Sequence, residues 1–296
     1  MAADSRQDIL VRAMPVVFVL IWSTGFIVAR FGMPHSPPMK FLALRYILSV
    51  LCFVVWALAV RAAWPAGGRQ YAHLAVTGIL MHAGYLGGVW TAVKLGMGAG
   101  LAALLVGLQP VLTAIWVSSW GGRVTARQWV GLALGFGGLA LVVWHRLGLG
   151  EIHAVNLLSA FVALVSITVG TLYQKRFVAP CDVRTANLVQ LAAAFAVTLP
   201  LALLESEGIR WNGELAGAMA WSVFGLTLGG SSLLYLLIQR GAATAVTSLL
   251  YLVPPCTALM AWLLFAEPIT ALTLAGMALT AFGVSLVVRT PAASHA

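Results

Sequence analysis

Residues 104–120, LLVGLQPVLTAIWVSSW, and residues 249–265, LLYLVPPCTALMAWLLF, read as two copies of one segment. Laid one on the other they put Leu105 on Leu249, Pro110 on Pro254, and Thr113 and Ala114 on Thr257 and Ala258. The match resumes beyond a polar break, where WVGLALGFGGLALVV (residues 129–143) faces LAGMALTAFGVSLVV (residues 274–288) and Gly131 and Gly138 meet Gly276 and Gly283. The shift between copies is close to half of the 296 residues, so the chain is a doubled unit, with halves expected over 1–148 and 149–296. A proline inside each apolar run predicts a broken or kinked helix, a device that bares backbone polar groups to a cavity within a membrane.

Composition fixes the solvent. Hydrophobic residues make up 61% of the chain and charged residues 8%, with a mean hydropathy of +0.97. A soluble domain carries roughly a quarter charged residues, so this chain is built for lipid. The net charge of +9 then reads as an excess of Lys and Arg in cytoplasmic loops and not as a nucleic-acid surface. Three scattered cysteines, Cys52, Cys181 and Cys256, imply neither a disulfide framework nor a metal site, and no cofactor is expected. The first apolar stretch continues as a full span, so it is expected to be retained and not cleaved.

Ten apolar segments are long enough to cross about 30 Å of hydrocarbon as helices. They run over 14–31, 40–60, 71–94, 99–119, 125–145, 154–177, 183–204, 215–239, 243–265 and 270–288. The expected fold is an all-α membrane protein of ten transmembrane helices in two five-helix repeats. Eleven of the 17 Lys and Arg residues fall at the N-terminus, the C-terminus or the loops after even-numbered spans. The other six, Arg30, Lys40, Arg45, Lys94, Arg146 and Arg210, are counted to the opposite side. That bias places both termini in the cytoplasm. Five spans per half also make the second half enter from the other side, so the repeats should be inverted. Gly131, Gly135 and Gly138 share one face of the fifth span, and Gly276, Thr280 and Gly283 repeat that spacing on the tenth, a pattern suited to close helix contact.

The paired proline-bearing helix, the polar break and the glycine-rich last helix resemble the EamA repeat of the drug/metabolite transporter superfamily. LLFAEPITALTLAGMALTAFGVSLVV (Leu263–Val288), with Glu267 and Thr270, is similar to the end of that repeat; the first copy departs from it, with Arg123 where Glu267 would map. FVLIWSTGFIVARFGMPHSPP (residues 18–38) and HAGYLGGVW (residues 82–90) look most like the bacterial aromatic amino acid exporters of the superfamily. The resemblance implies an exporter of amino acids, aromatic and other apolar ones, in a bacterial inner membrane. The alternative within the superfamily is an exporter of drugs or other small solutes, proton-coupled through His82.

Polar and aromatic groups inside spans are the candidates for lining a path, because such groups are costly against lipid. They are Trp22, Ser23 and Thr24, His82 and Tyr85, Gln109 and Trp116, Thr168, Ser231, Ser232 and Tyr235, and Tyr251. Hydroxyls, amides and rings around a proline-opened helix suit a zwitterion with an apolar side chain. Gating falls to Gly84 and Gly88, Pro110, Gly229 and Gly230, and Pro254 and Pro255. Each has a plainer reading. Serine and threonine bond back to their own helix, tryptophans pack, and glycines let helices approach. No Asp or Glu stands in mid-span, which points to facilitated movement down the solute gradient without ion coupling. No catalytic constellation is present. The partners expected are a small solute and the bilayer, with no nucleic acid, and a monomer suffices because one chain carries both halves.

Overall fold

The computed structural model describes residues 2–119, 125–148, 151–233 and 252–288, and within these the chain is helical with no strand. Helix α1 is Ala2–Gly32 and α2 is Pro38–Ala59. Helix α3 runs from Gly68 to Lys94 with a π-helical stretch over Ile79–Gly84. Helix α4 comes in two segments, Ala99–Val106 and Gln109–Ser119. Helices α5 (Ala126–Gly148), α6 (Ala154–Phe177) and α7 (Val183–Leu204) follow. Helix α8 starts as Gly213–Ala220 and continues as a π-helix over Trp221–Ser231. Helices α9 (Val253–Phe265) and α10 (Ala271–Val288) complete the described part. Six helices among the described residues are long and apolar enough to cross a membrane, and three more are apolar but shorter.

Three expectations are corrected by these bounds. The first helix begins well before residue 14, at Ala2. The fourth span is two helical segments separated by Gly107 and Leu108, so Pro110 stands in the first turn of the second segment. Pro254 and Pro255 likewise stand in the first turn of α9. There a proline loses no intrahelical hydrogen bond, because the first N–H groups have no partner in any case. The prolines therefore start helices here and do not bend them. An added methyl at Gly107 would lie 3.0 Å from a ring carbon of Pro254, so the break in α4 touches the start of α9.

Helix boundaries repeat along the chain. Gly32 and Phe177 end helices, Pro38 and Val183 begin them, Ala59 and Leu204 end them, Gly68 and Gly213 begin them, and so do Ala126 and Ala271. Each pair is 145 residues apart. The π-helical stretch of α3, shifted by the same amount, falls inside that of α8.

Equivalent helices pack on one another in opposite directions. On α5 and α10, methyls added at Gly138 or Gly283 would come within 2.5 Å of Gly276 O and of Gly131 O respectively, so the backbones are in contact. The Thr280 hydroxyl bonds across to the Gly135 carbonyl at 3.4 Å. The glycine stripes expected to join the halves do join them. Helices α2 and α7 also run antiparallel: the Arg184 guanidinium lies over the Trp56 ring at 5.5 Å, and the Glu205 carboxylate reaches Met39 and Lys40 at the far end.

Candidate functional site

Two consecutive residues of α2 reach both π-helical stretches. A π turn takes an extra residue, so its carbonyls lose their ordinary partners and look elsewhere. On one side the Tyr46 hydroxyl donates to the His82 carbonyl at 2.8 Å, inside the π turn of α3. On the other, Arg45 Nε and one terminal nitrogen both donate to the Thr227 hydroxyl, at 3.1 and 3.0 Å, inside the π stretch of α8. The Thr227 hydroxyl in turn donates to the Ser222 carbonyl at 2.8 Å. Arg45 is 6% exposed, Tyr46 fully buried and Thr227 1% exposed.

Arg45 had been counted with the charges at the helix ends. It stands instead eight residues into α2, with its side chain inside the bundle. Tyr46 and Tyr85 are its electrostatic neighbours, and His82 lies in the same field. Gln190 of α7 faces the His82 ring. The sites are related by the repeat: Gln190 is 145 residues after Arg45, and Thr227 is 145 after His82. Arg45 meets Thr227 in one pairing and Gln190 meets His82 in the other, so the same two positions pair twice, each time across the halves.

The remaining candidates fall into separate places. His82 and Tyr85 belong to the Arg45 cluster. Ser231 stands one turn beyond Thr227 on α8, and the neighbouring Ser232 hydroxyl is buried without a partner. Ser23 and Thr168 are themselves a repeat pair, 145 apart. Both are fully buried, and each donates to the carbonyl four residues earlier, Val19 and Leu164, at 2.7 Å. Their hydroxyls are satisfied by their own helices. Thr24 accepts from Trp221 Nε1 at 2.8 Å, and the Ser23 carbonyl accepts from the Thr257 hydroxyl at 3.2 Å, which fastens α1 to α8 and α9. Trp22 packs at a tilt against Phe18, with centroids 5.2 Å apart. Gln109 donates to the Thr171 hydroxyl at 3.0 Å, joining α4 to α6, and Trp116 is 44% exposed. Tyr235 and Tyr251 lie outside the described residues.

The glycines expected to gate divide. An added methyl at Gly84 would lie 2.6 Å from the Ser166 hydroxyl, and one at Gly88 would lie 2.5 Å from the Ser159 carbonyl oxygen. Both are close-contact positions of α3 on α6. Gly229 and Gly230 lie within the π stretch of α8 and face looser surroundings, the nearest atom to a methyl at Gly230 being 3.5 Å away on Ile21.

One end of the bundle is closed by carboxylates. Helices α2 and α4 begin after Pro37 and Gly98, neither of which offers a side-chain cap. Glu205 accepts from the N–H groups of Met39 and Lys40 at 2.9 and 2.8 Å and so caps α2. Glu267 accepts from Ala99 at 3.0 Å, with Gly100 at 3.5 Å, and so caps α4; Arg30 stands 4.0 Å from it. Lys94 pairs with Glu207 at 2.7 Å and His35 with Glu214 at 2.9 Å. In every case the carboxylate belongs to the second half and its partner to the first. The equivalent of Glu205 one repeat earlier is Val60, and Arg123 maps on Glu267, so these capping acids are not duplicated in the sequence of the first half.

The EamA-like transporter family matches the chain twice, over residues 13–144 and 155–289. Among similar proteins, the "Uncharacterized transporter YvbV" of Bacillus subtilis is 25% identical over 279 residues, covering 91% of this chain and 88% of its own. The "Uncharacterized inner membrane transporter YedA" of Escherichia coli is 24% identical over 274 residues, covering 90% and 87%. A "Probable amino-acid metabolite efflux pump" of Salmonella typhimurium is 24% identical over 290 residues, covering 94% of each chain. A known crystal structure superposes with a TM-score of 0.66 at 17% identity over 94% of this chain and 96% of that one, which shows the fold. With the family matched over both halves of an apolar, multi-helix chain, this protein belongs to the EamA-like transporter family and is a multi-pass membrane transporter.

Proposed function

We propose that the chain exports amino acids, aromatic and other apolar ones, across a bacterial inner membrane by alternating access. Two inverted five-helix halves rock about a site at mid-bundle, and both termini face the cytoplasm. The observation that carries this reading is the polar cluster of buried Tyr46, Tyr85, Gln190 and Thr227 with half-buried His82, set among four helices drawn from both halves. Polar groups of that kind are costly inside a membrane, pair with one another there, and mark solute paths. Rings for an apolar side chain and hydroxyl and amide groups for a zwitterion stand together there. The antiparallel packing of α2 on α7 and of α5 on α10 supports inversion of the halves. The resemblance of residues 18–38 and 82–90 to aromatic amino acid exporters, and the similarity to a relative named as a probable amino-acid metabolite efflux pump, support the solute class.

Among the described residues every acid lies at a helix end or in a loop, apart from those of the N-terminal turns of α1. We therefore assign facilitated export and no ion coupling. Counterflow in liposomes with a panel of amino acids, organic cations and sugars tests the solute class. Uptake of labelled phenylalanine, exchanged by unlabelled aromatic amino acids and not by cations or sugars, is the expected result; exchange by cations or sugars instead would assign the protein to drugs or other solutes. An imposed pH gradient at clamped voltage should leave the rate unchanged.

A further inference from the structure

We propose that Arg45 is the anchor for a carboxylate on the transported solute. The proposal rests on the transport reading above for access to the site. It adds what that reading leaves open, namely which group holds the solute and which part of the solute is held.

The guanidinium is a charge without a counter-charge. It is 6% exposed, its Nε and one terminal nitrogen share the single hydroxyl of Thr227, and among the described residues no carboxylate lies against it. A guanidinium carries five N–H donors in a planar fork and remains charged in proteins. One neutral oxygen does not compensate a buried charge of that kind, so the arrangement lacks a partner. Among the described residues none supplies an anion to it, so the partner is assigned to the solute. A carboxylate fits the fork through two parallel hydrogen bonds.

Further unused donors stand close by. Ser49, one turn from Arg45 on the same face of α2, has a fully buried hydroxyl with no partner. Ser222, whose carbonyl holds the Thr227 hydroxyl, has the same. The two elements that Arg45 joins, α2 and the π stretch of α8, thus each carry an idle buried hydroxyl of the kind a carboxylate's remaining lone pairs require. The single cation also selects among anions. A phosphate carries up to two charges at neutral pH, and the cluster described above holds a single cation, so a monoanion is the match. Tyr85 and His82 of α3 and Tyr46 of α2 are the rings of the same cluster, the His82 ring set edge-on to Tyr46 with centroids 6.1 Å apart.

The test compares acids with their own amides on the purified full-length chain. The pairs are L-phenylalanine with L-phenylalaninamide and 3-phenylpropionate with 3-phenylpropionamide; inorganic phosphate serves as the divalent probe, and the readout is the ligand-dependent shift of the melting temperature. The wild type should be stabilised by each acid at concentrations about tenfold or more below its amide, as expected for a charge-assisted pair, and phosphate should give no shift. Arg45→Gln should answer acid and amide alike. Arg45→Lys keeps the charge without the fork, so it should retain the preference with weaker binding, and it guards against a Gln variant that fails to fold. A guanidinium that only braced α2 against α8 would lower the melting temperature on substitution and leave the acid-to-amide ratio as it was. Equal responses of the wild type to acid and amide, including no response to either, would overturn the anchor, as would a preference that survives in Arg45→Gln. If 3-phenylpropionate is preferred over its amide while phenylalanine neither binds nor exchanges in liposomes, the anchor stands and the amino acid reading falls.

Discussion

The hydroxyl of Thr227 accepts from two nitrogens of Arg45, at 3.1 and 3.0 Å, and so ties α2 of the first half to the π-helical centre of α8 in the second. That oxygen also donates to the Ser222 carbonyl, so one small group satisfies a π turn and half-satisfies a buried charge. Thr227→Val keeps the shape and removes both functions. Hydrogen bonds to charged groups contribute about 1.5–3 kcal/mol each, and the variant should lose stability on that order. Thermal unfolding in detergent measures it, and a loss below about 0.5 kcal/mol would mean that water had replaced the hydroxyl at no cost.

The join of α5 on α10 should be among the least tolerant surfaces of the bundle. A methyl at Gly138 meets the Gly276 carbonyl oxygen at 2.5 Å and the Thr280 nitrogen at 2.8 Å, and backbone atoms cannot step aside as a side chain can. Gly138→Ala should therefore part the helices and cost about 1–3 kcal/mol, the usual range for overpacking. The adjacent Gly137 has nothing within 4 Å of such a methyl. Gly137→Ala should be neutral or stabilise by up to about 1 kcal/mol through helix propensity. Melting temperatures of the two variants, one residue apart on the same helix, decide the matter; similar losses from both would contradict the contact.

The doubling was legible because close packing and helix breaks demand particular residues. Only glycine permits the contact at Gly138 and Gly283, and only a break tolerates Pro110 and Pro254, so both features left matched marks in the two copies. The candidate site was half legible. His82 and Tyr85 announced themselves as polar groups in mid-span, and both stand in the cluster. Arg45 escaped because a charge a few residues inside an apolar segment looks like a loop residue when the helix start is set late. The signal was in the repeat: Arg45 falls on Gln190, a polar residue well inside the apolar run of α7. The π stretches left no mark, since a widened turn is set by packing and not by any residue type. Hydroxyls misled in the other direction, because Ser23 and Thr168 spend their bonds on their own helices.

His82 offers the cheapest test of coupling. It is the protonatable group of the buried cluster besides the tyrosines and Arg45, and its ring faces Gln190 while its carbonyl takes the Tyr46 hydroxyl. His82→Gln keeps an amide of similar reach and removes the titration. If export is uncoupled, the variant should transport with a pH profile like that of the wild type between pH 6 and 8, the range in which an ordinary histidine changes charge, about 6.5. A rate that rises with a pH gradient in the wild type and loses that dependence in His82→Gln would establish proton coupling through this ring. Counterflow at several symmetric pH values, then with a gradient, separates the two.

The carboxylate-capped end should be the gate that holds the protein closed at rest. Glu205 and Glu267 close helix N-termini in the opposite half, and the helix dipole favours a negative charge there. In the sequence Val60 and Arg123 take the matching places of the first half, so these acids are not repeated there, and the balance between the two closed states should tilt toward closure at the capped end. Loss of one such cap costs about 0.5–2 kcal/mol, and two together would shift the ratio of states by on the order of tenfold or more. Spin labels at Leu95 and Gly208, exposed positions in the loops after α3 and α7, report the opening. The double variant Glu205→Ala, Glu267→Ala should lengthen or broaden the label distance relative to the wild type. Acid should act in the same direction. The hydrogen bond from Lys94, helped by the charges of Lys94, Arg210 and Lys40, holds the Glu207 carboxyl below its ordinary range. A carboxyl depressed in the folded state stabilises above its unfolded pKa and loses that contribution as pH falls through the folded value, so this contact is complete at neutral pH and released only in acid. A distance that stays unchanged in the double variant and on acidification would mean that the caps merely finish their helices and that closure is held elsewhere.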